Sequence, residues 1–130
     1  MEELRRLIES GDIEGVAAHL AEDCVFRSPA LHRPYRGREV TMVFLRAAFE
    51  VFENFRYVRT FAEDDGRGHV LVFEAEVEGR QLQGADFLRL DDQGLVAEFA
   101  VMIRPMTGLT ALAGQMAPRI QRAMGDAGVS

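Results

Sequence analysis

With 130 residues, 48% of them hydrophobic and 28% charged, the chain has the size and apolar content of one globular domain with a single core. Fifteen basic residues, all arginine, against 21 acidic ones give a net charge of −6, which argues against a nucleic-acid backbone or an anionic membrane as main partner. The absence of lysine excludes Schiff-base and phosphate-loop chemistry, the single Cys24 cannot form an internal disulfide, and His19, His32 and His69 lack metal-ligand spacing, so no metal or other cofactor is expected.

The first predicted element is a helix carrying Leu4, Leu7 and Ile8 at helical spacing and ending at Gly11. Its charges run throughout MEELRRLIESGD, so it reads as part of the mature protein, and a cytoplasmic location is the matching expectation. Asp12 is placed to cap a second helix with Ile13, Val16, Ala17 and Leu20 on one buried stripe. After Glu22 and Asp23 the period changes to two: Cys24–Ser28 reads as a strand with Cys24, Phe26 and Ser28 on one side, stopped by Pro29. A loop from Ala30 to Gly37 precedes a long helix from Arg38 to about Phe52, with Val40, Phe44, Ala47 and Val51 on its apolar face.

Four extended segments follow, Phe55–Ala62, His69–Glu78, Gln81–Leu90 and Leu95–Arg104, separated by Asp64–Gly68, Gly79-Arg80 and Asp91–Gly94. Connections this short require antiparallel pairing. In the second of them Leu71, Phe73, Ala75 and Val77 alternate with Val72, Glu74, Glu76 and Glu78, which makes the odd face core and the glutamate face wet. The segment Thr107–Met124 repeats Leu109, Leu112, Met116, Ile120 and Met124 near helical spacing, weakened by Gly114 and Pro118, and reads as a lid or an interface element. The longest charge-free stretch, residues 105–118, is shorter than the roughly 20 apolar residues of a membrane span. The fold class is α+β: helices covering one face of a curved antiparallel sheet.

Asp86 carries the strongest chemical signal, because it lies on the same strand face as Leu82, Leu88 and Leu90. A carboxylate there must be partnered by an arginine or hydroxyl, hydrated in a cavity, or kept protonated. Ser28 ends its strand on the face of Phe26, where its hydroxyl either contacts a ligand or caps the turn before Pro29. No Gly-x-Ser-x-Gly elbow surrounds it. His32 and Tyr35 lie in a loop with Arg33, Arg36 and Arg38, which suits either a solvated loop or a pocket rim that meets an anionic group. Tyr57, Phe73, Leu88, Phe99 and Val101 complete the expected substrate-binding set with Phe26, His32 and Tyr35. Cys24 reads as a small core residue, His19 as exposed, His69 as a satisfied edge histidine and Glu74, Glu76 and Glu78 as a solvated or interface face.

Ser10-Gly11-Asp12, Val25–Pro29, Tyr35–Glu39, Gly84–Gly94 and Arg104-Pro105, in this order and spacing, resemble the nuclear transport factor two-like superfamily in its SnoaL-like and ketosteroid isomerase-like branch. The resemblance covers residues 1–106, with 107–130 as a helical extension packing on the same domain or on a partner subunit. It implies a cone-shaped barrel around one apolar pocket, and homodimers packed through the outer sheet face. It also implies that Asp86 matches the protonated aspartic acid that hydrogen-bonds substrate oxygen in the steroid isomerases. Their base position falls on Ser28 and their phenol near Leu4, neither of which can do that work. Of the carboxylate and pocket histidine that the SnoaL-like polyketide cyclases use, only the carboxylate has an equivalent.

The expected function is a cofactor-independent isomerisation, cyclisation or hydrolysis of an apolar oxygenated metabolite such as a polyketide, terpenoid or steroid-like ketone, with Asp86 as acid and Ser28 beside it. The alternatives are a non-catalytic hydrophobic ligand-binding protein and a dimerisation module.

Overall fold

The computed structural model describes residues 1–126. Helix α1 (Glu2–Ser10) buries Leu4, Leu7 and Ile8 and stops at Gly11, whose left-handed backbone (φ 81°) lets the Gly11 and Asp12 amides donate to the Ile8 and Leu7 carbonyls. Asp12 accepts from the Gly15 amide at 3.1 Å and caps α2 (Ile13–Val16). The second helix is shorter than its apolar stripe suggests. A 3-10 turn occupies Ala17–His19, and Leu20 opens β1 (Leu20–Arg27) because it pairs there with Val96. His19, expected to be exposed, is half-buried.

The expected loop at 30–37 contains a two-residue strand, β2 (Tyr35–Arg36), set against Phe26 and Val25. Helix α3 (Arg38–Val51) buries Thr41, Met42, Phe44, Leu45 and Ala47. Then come β3 (Glu53–Ala62), β4 (Gly68–Val77), β5 (Arg80–Leu90) and β6 (Val96–Arg104), followed by α4 (Met106–Asp126). The β4–β5 hairpin turns on Glu78 and Gly79, both at positive φ (52° and 75°), so Arg80 already belongs to β5. At the β5–β6 turn, Asp91 Oδ1 accepts from the Gln93 and Leu95 amides at 2.9 and 3.0 Å.

The six strands form one curved, open sheet in the order β2-β1-β6-β5-β4-β3. It is antiparallel except between β1 and β6, which run parallel and set Phe26 beside Phe99. That parallel pair makes the sheet mixed, and the open edges leave it short of a closed barrel. The concave face carries Leu71, Phe73, Ala75, Leu82, Asp86, Leu88 and Phe99 into a core shared with α1, α3 and α4.

Helix α4 packs against α3 and against β4, β5 and β6, with Leu112 buried. It continues through Pro118, which was expected to weaken it. Pro118 and Gly114, whose carbonyl loses its donor, are both exposed, so that carbonyl is open to solvent and the helix tolerates the loss. Arg119 Nε ties α4 to Glu50 of α3 at 3.1 Å. The final part of the 107–130 extension, residues 127–130, lies outside the described residues.

Candidate active site

Strand pairing positions Asp86 between Leu71 on β4 and Val101 on β6, all on the concave face. Its residue exposure is 6%, and its carboxyl oxygen Oδ2 accepts a hydrogen bond from Tyr57 Oη at 2.7 Å. Tyr57 is the one buried residue of β3, next to a register shift between Tyr57 and Arg59. Its amide donates to Glu9 of α1 at 3.2 Å, which anchors the phenol's backbone to the N-terminal helix. Close approach completes the floor. A Cβ on Gly84 would stand 2.2 Å from the Phe73 ring, so only glycine lets that ring lie across β5.

Oδ1 of Asp86 has no protein partner in these hydrogen bonds, yet no buried side-chain nitrogen or oxygen among the described residues is left unpaired, so Oδ1 borders space. That space is a void of about 40 Å³ whose walls include Phe26, Phe44, Phe55, Phe73, Phe99 and Val101. It admits a water or a small polar head, not a whole metabolite. Among the described residues Asp86 is the only ionisable side chain in its wall. Burial pushes the carboxyl from its ordinary 3.8 to about 7, with the Tyr57 hydroxyl pulling the other way. Burial, reinforced by the neighbouring carboxylate, holds the Tyr57 phenol well above 10, so it remains a donor throughout the neutral range. Burial also raises the Cys24 thiol to about 11, which makes it an inert core group.

In front of the void lies a vestibule of about 300 Å³ between the 28–31 segment, Tyr35 and one face of α4. The two spaces share Phe26, Pro29, Phe44, Leu112 and Met116, so these side chains partition one site into an inner and an outer part. Phe26 and Phe44 stack with centroids 4.8 Å apart, and Tyr35 packs on Phe44 at 4.8 Å.

The expected site residues therefore separate. Asp86, Phe26, Phe73, Phe99 and Val101 meet at the inner void, and Ser28 and Tyr35 line the vestibule. Ser28 Oγ accepts from the Ala30 amide at 3.1 Å, the turn-capping arrangement. Tyr57 stands behind Asp86 as its hydrogen-bond partner instead of forming wall. Three of the expected residues, Tyr57 among them, border neither space. His32 is exposed in its loop and borders neither space, because β2 starts only at Tyr35 and leaves His32 and Arg33 in solvent. Leu88 is sealed in the core, one strand repeat past Asp86, and also misses both spaces.

Position on a core face is what marked Asp86 in the sequence. The residues missed were Phe49, Phe52 and Phe55, which bring an aromatic group from the end of α3 into the inner wall, and the α4 face. Their three-residue spacing was the available signal. Glu74 and Glu76, on the other face of β4, pair with Arg56 and Asn54 at 2.8 and 2.6 Å, and His69 Nε2 bonds the Gly66 carbonyl at 2.9 Å. Among the described residues no cluster of three or more His, Cys, Asp or Glu could hold a metal ion, and no helix is long and apolar enough to cross a membrane.

The sequence model of the SnoaL-like domain family matches residues 1–99. The chain is 43% identical to a crystal structure described as a steroid delta-isomerase from Pseudomonas aeruginosa, with a TM-score of 0.89 over 95% of this chain and 90% of that one. It is 30% identical to an uncharacterized cystatin-like-fold protein from Silicibacter pomeroyi, with a TM-score of 0.85 and coverage of 91% and 82%. A putative polyketide cyclase from Xanthomonas campestris shares the fold at 20% identity, with a TM-score of 0.67 over 84% and 90% of the two chains. No curated protein matches.

Proposed function

We propose that this chain, which belongs to the SnoaL-like domain family, is a cofactor-independent isomerase or cyclase that acts on an uncharged, oxygen-bearing apolar metabolite through Asp86. One observation carries the reading: a carboxyl group buried on an apolar sheet face, with one oxygen held by a phenol and the other bordering a void. Tyr57 makes Oδ2 an acceptor, so the proton of the neutral acid sits on Oδ1 and is directed at whatever fills the void. There it stabilises negative charge growing on a ligand oxygen, in a site where water does not compete. The similarity to a protein described as a steroid delta-isomerase supports an uncharged, oxygen-bearing ligand and an isomerisation.

The inner wall supplies no second ionisable group. Ser28 caps its turn in the vestibule and is no base, so the reading assigns it to the wall and assigns the acid role to Asp86 alone. This favours reactions that begin by activating a substrate oxygen over those that need a protein base at carbon. The same lack favours, as a second reading, a binding protein without turnover. A hydroxy-epoxide assayed for ring closure tests both, since closure needs only the Asp86 proton on the epoxide oxygen and return of the attacking hydroxyl's proton to the carboxylate. Asp86→Asn keeps a donor but cannot transfer a proton, and is expected to lower turnover by about 100-fold or more. An Asn variant as active as the parent overturns the enzymatic reading. Turnover absent from the parent, with ligand retained in native mass spectrometry, selects the binding reading.

The reading includes a homodimer through the outer sheet face, supported by the exposure there of Phe61 (50%), Phe87 (38%) and Met102 (62%). Light scattering at micromolar concentration tests it, and a monomer refutes it.

A further inference from the structure

The vestibule owes its shape to α4. Leu109, Leu112, Ala113, Met116, Ala117 and Ile120 border it, which is a repeat of three and four residues and hence one helix face. The face runs about 16 Å at 1.5 Å per residue. Small side chains occupy its middle: Ala113 and Ala117 are one turn apart, across the space from Pro29 and Ala30. Among the described residues no charged side chain borders the vestibule, where Ser28, Tyr35 and Gln121 are the polar members of the wall. An ionic ligand would lose hydration there without a partner. Behind the partition, the 6%-exposed Asp86 borders the inner void, and its Oδ1 accepts no hydrogen bond from the described residues. Within the partition, Phe26 and Phe44 are stacked and Tyr35 packs on Phe44, whereas Met116 is unbranched and only half-buried. It is the piece that can turn aside.

We propose that α4 is the specificity-determining wall of this site: Ala113 and Ala117 keep room for the body of an uncharged, elongated ligand, and Met116 moves to let its acceptor oxygen reach Asp86. The ligand lies along the helix with its oxygen leading. This rests on the reading of Asp86 as the group that meets the ligand, and the two are separable by experiment.

The probe is prodan, an uncharged flat naphthyl ketone whose emission reports both the polarity around it and hydrogen bonding to its carbonyl. It is titrated into the purified full chain and into Ala113→Phe, Ala117→Leu, Gly114→Leu, Met116→Ala and Asp86→Leu. Ala113→Phe and Ala117→Leu fill the vestibule and weaken binding by about tenfold or more, while far-UV circular dichroism stays that of the parent. Gly114→Leu, on the exposed side where an added Cβ meets nothing within 4 Å, leaves affinity unchanged. Met116→Ala speeds association in stopped flow. Asp86→Leu retains the dye but loses the hydrogen-bonded emission. If only that last result fails, the Asp86 reading falls and the α4 wall stands. Parent-like affinity in Ala117→Leu, equal weakening by Gly114→Leu, no binding to the parent, or equally tight binding of anilinonaphthalene sulfonate, which carries a fixed charge, overturns the proposal. Should Ala113→Phe fail to fold, Ala117→Leu decides.

Discussion

Asp86→Asn is expected to make the protein more stable, and only above a definite pH. The unfolded chain releases this proton near pH 4, whereas the native chain releases it near 7. Between those values the native state holds one proton more than the unfolded state, so stability falls as pH rises. Below them both states are protonated and nothing is lost. The displacement from 3.8 to about 7, at about 1.4 kcal/mol per pH unit, makes the ionised carboxyl cost the fold about 4 kcal/mol above neutrality. Asparagine has the same shape, keeps an oxygen to accept from Tyr57 and does not ionise. Urea unfolding of both proteins from pH 4 to pH 8 measures the effect. The difference between variant and parent should grow by about 4 kcal/mol across that range and level off above neutrality. Other titrating groups are common to both proteins and cancel. Curves that stay parallel from pH 4 to pH 8 would refute the reasoning, since they would mean that Asp86 titrates like a solvated carboxyl.

Tyr57→Phe removes the interaction that holds the Asp86 carboxyl down and strips Oδ2 of its partner. Its destabilisation should be about 1–3 kcal/mol, and the fall in stability with rising pH should extend to a higher pH than in the parent, read from the same urea series. A window moved downward contradicts the assignment. Gly84→Ala drives a methyl into the Phe73 ring and should cost about 1–3 kcal/mol in urea unfolding. A neutral result would mean that the ring moves freely. Cys24, fully buried and held to about 11, should react with an aromatic disulfide reagent only on unfolding, so that native protein at pH 8 shows no fast thiol release.

The alternation along β4 and β5 was legible because each strand has one wet and one dry face, and a period of two has no other solution there. Gly11, Asp12 and the acidic turns were legible for a similar reason: their backbone chemistry is local. What escaped the sequence is non-local. Nothing near Leu20 announces a parallel partner at Val96, and that partner alone turns the end of a helical stripe into a strand. Tyr35–Arg36 is too short for a period to exist. The apolar stripe of α4 was visible, but whether Leu112 and Met116 faced this chain's cavity or another subunit depends on how α4 returns over β5 and β6.

At the site, the anomaly of Asp86 was readable from one strand, since an acid among leucines needs an explanation. Its partner was not. Tyr57 is 29 residues away and reaches it across β4, from a strand whose irregular register hides which residues face inward. Leu88 shares the parity of Asp86 but not its surroundings, because parity fixes a face and says nothing of depth. His32 was grouped with Tyr35 by nearness in sequence, and the start of β2 separates them.

Carbon-13 NMR of selectively labelled aspartate, with the Asp86 signal assigned by its loss in Asp86→Asn, follows the proton on this carboxyl directly. A midpoint near 7 is expected, with the acid form dominant at pH 6. A midpoint near 4, the ordinary aspartate value, would show a carboxylate at every physiological pH, with no proton to present to a ligand in the void.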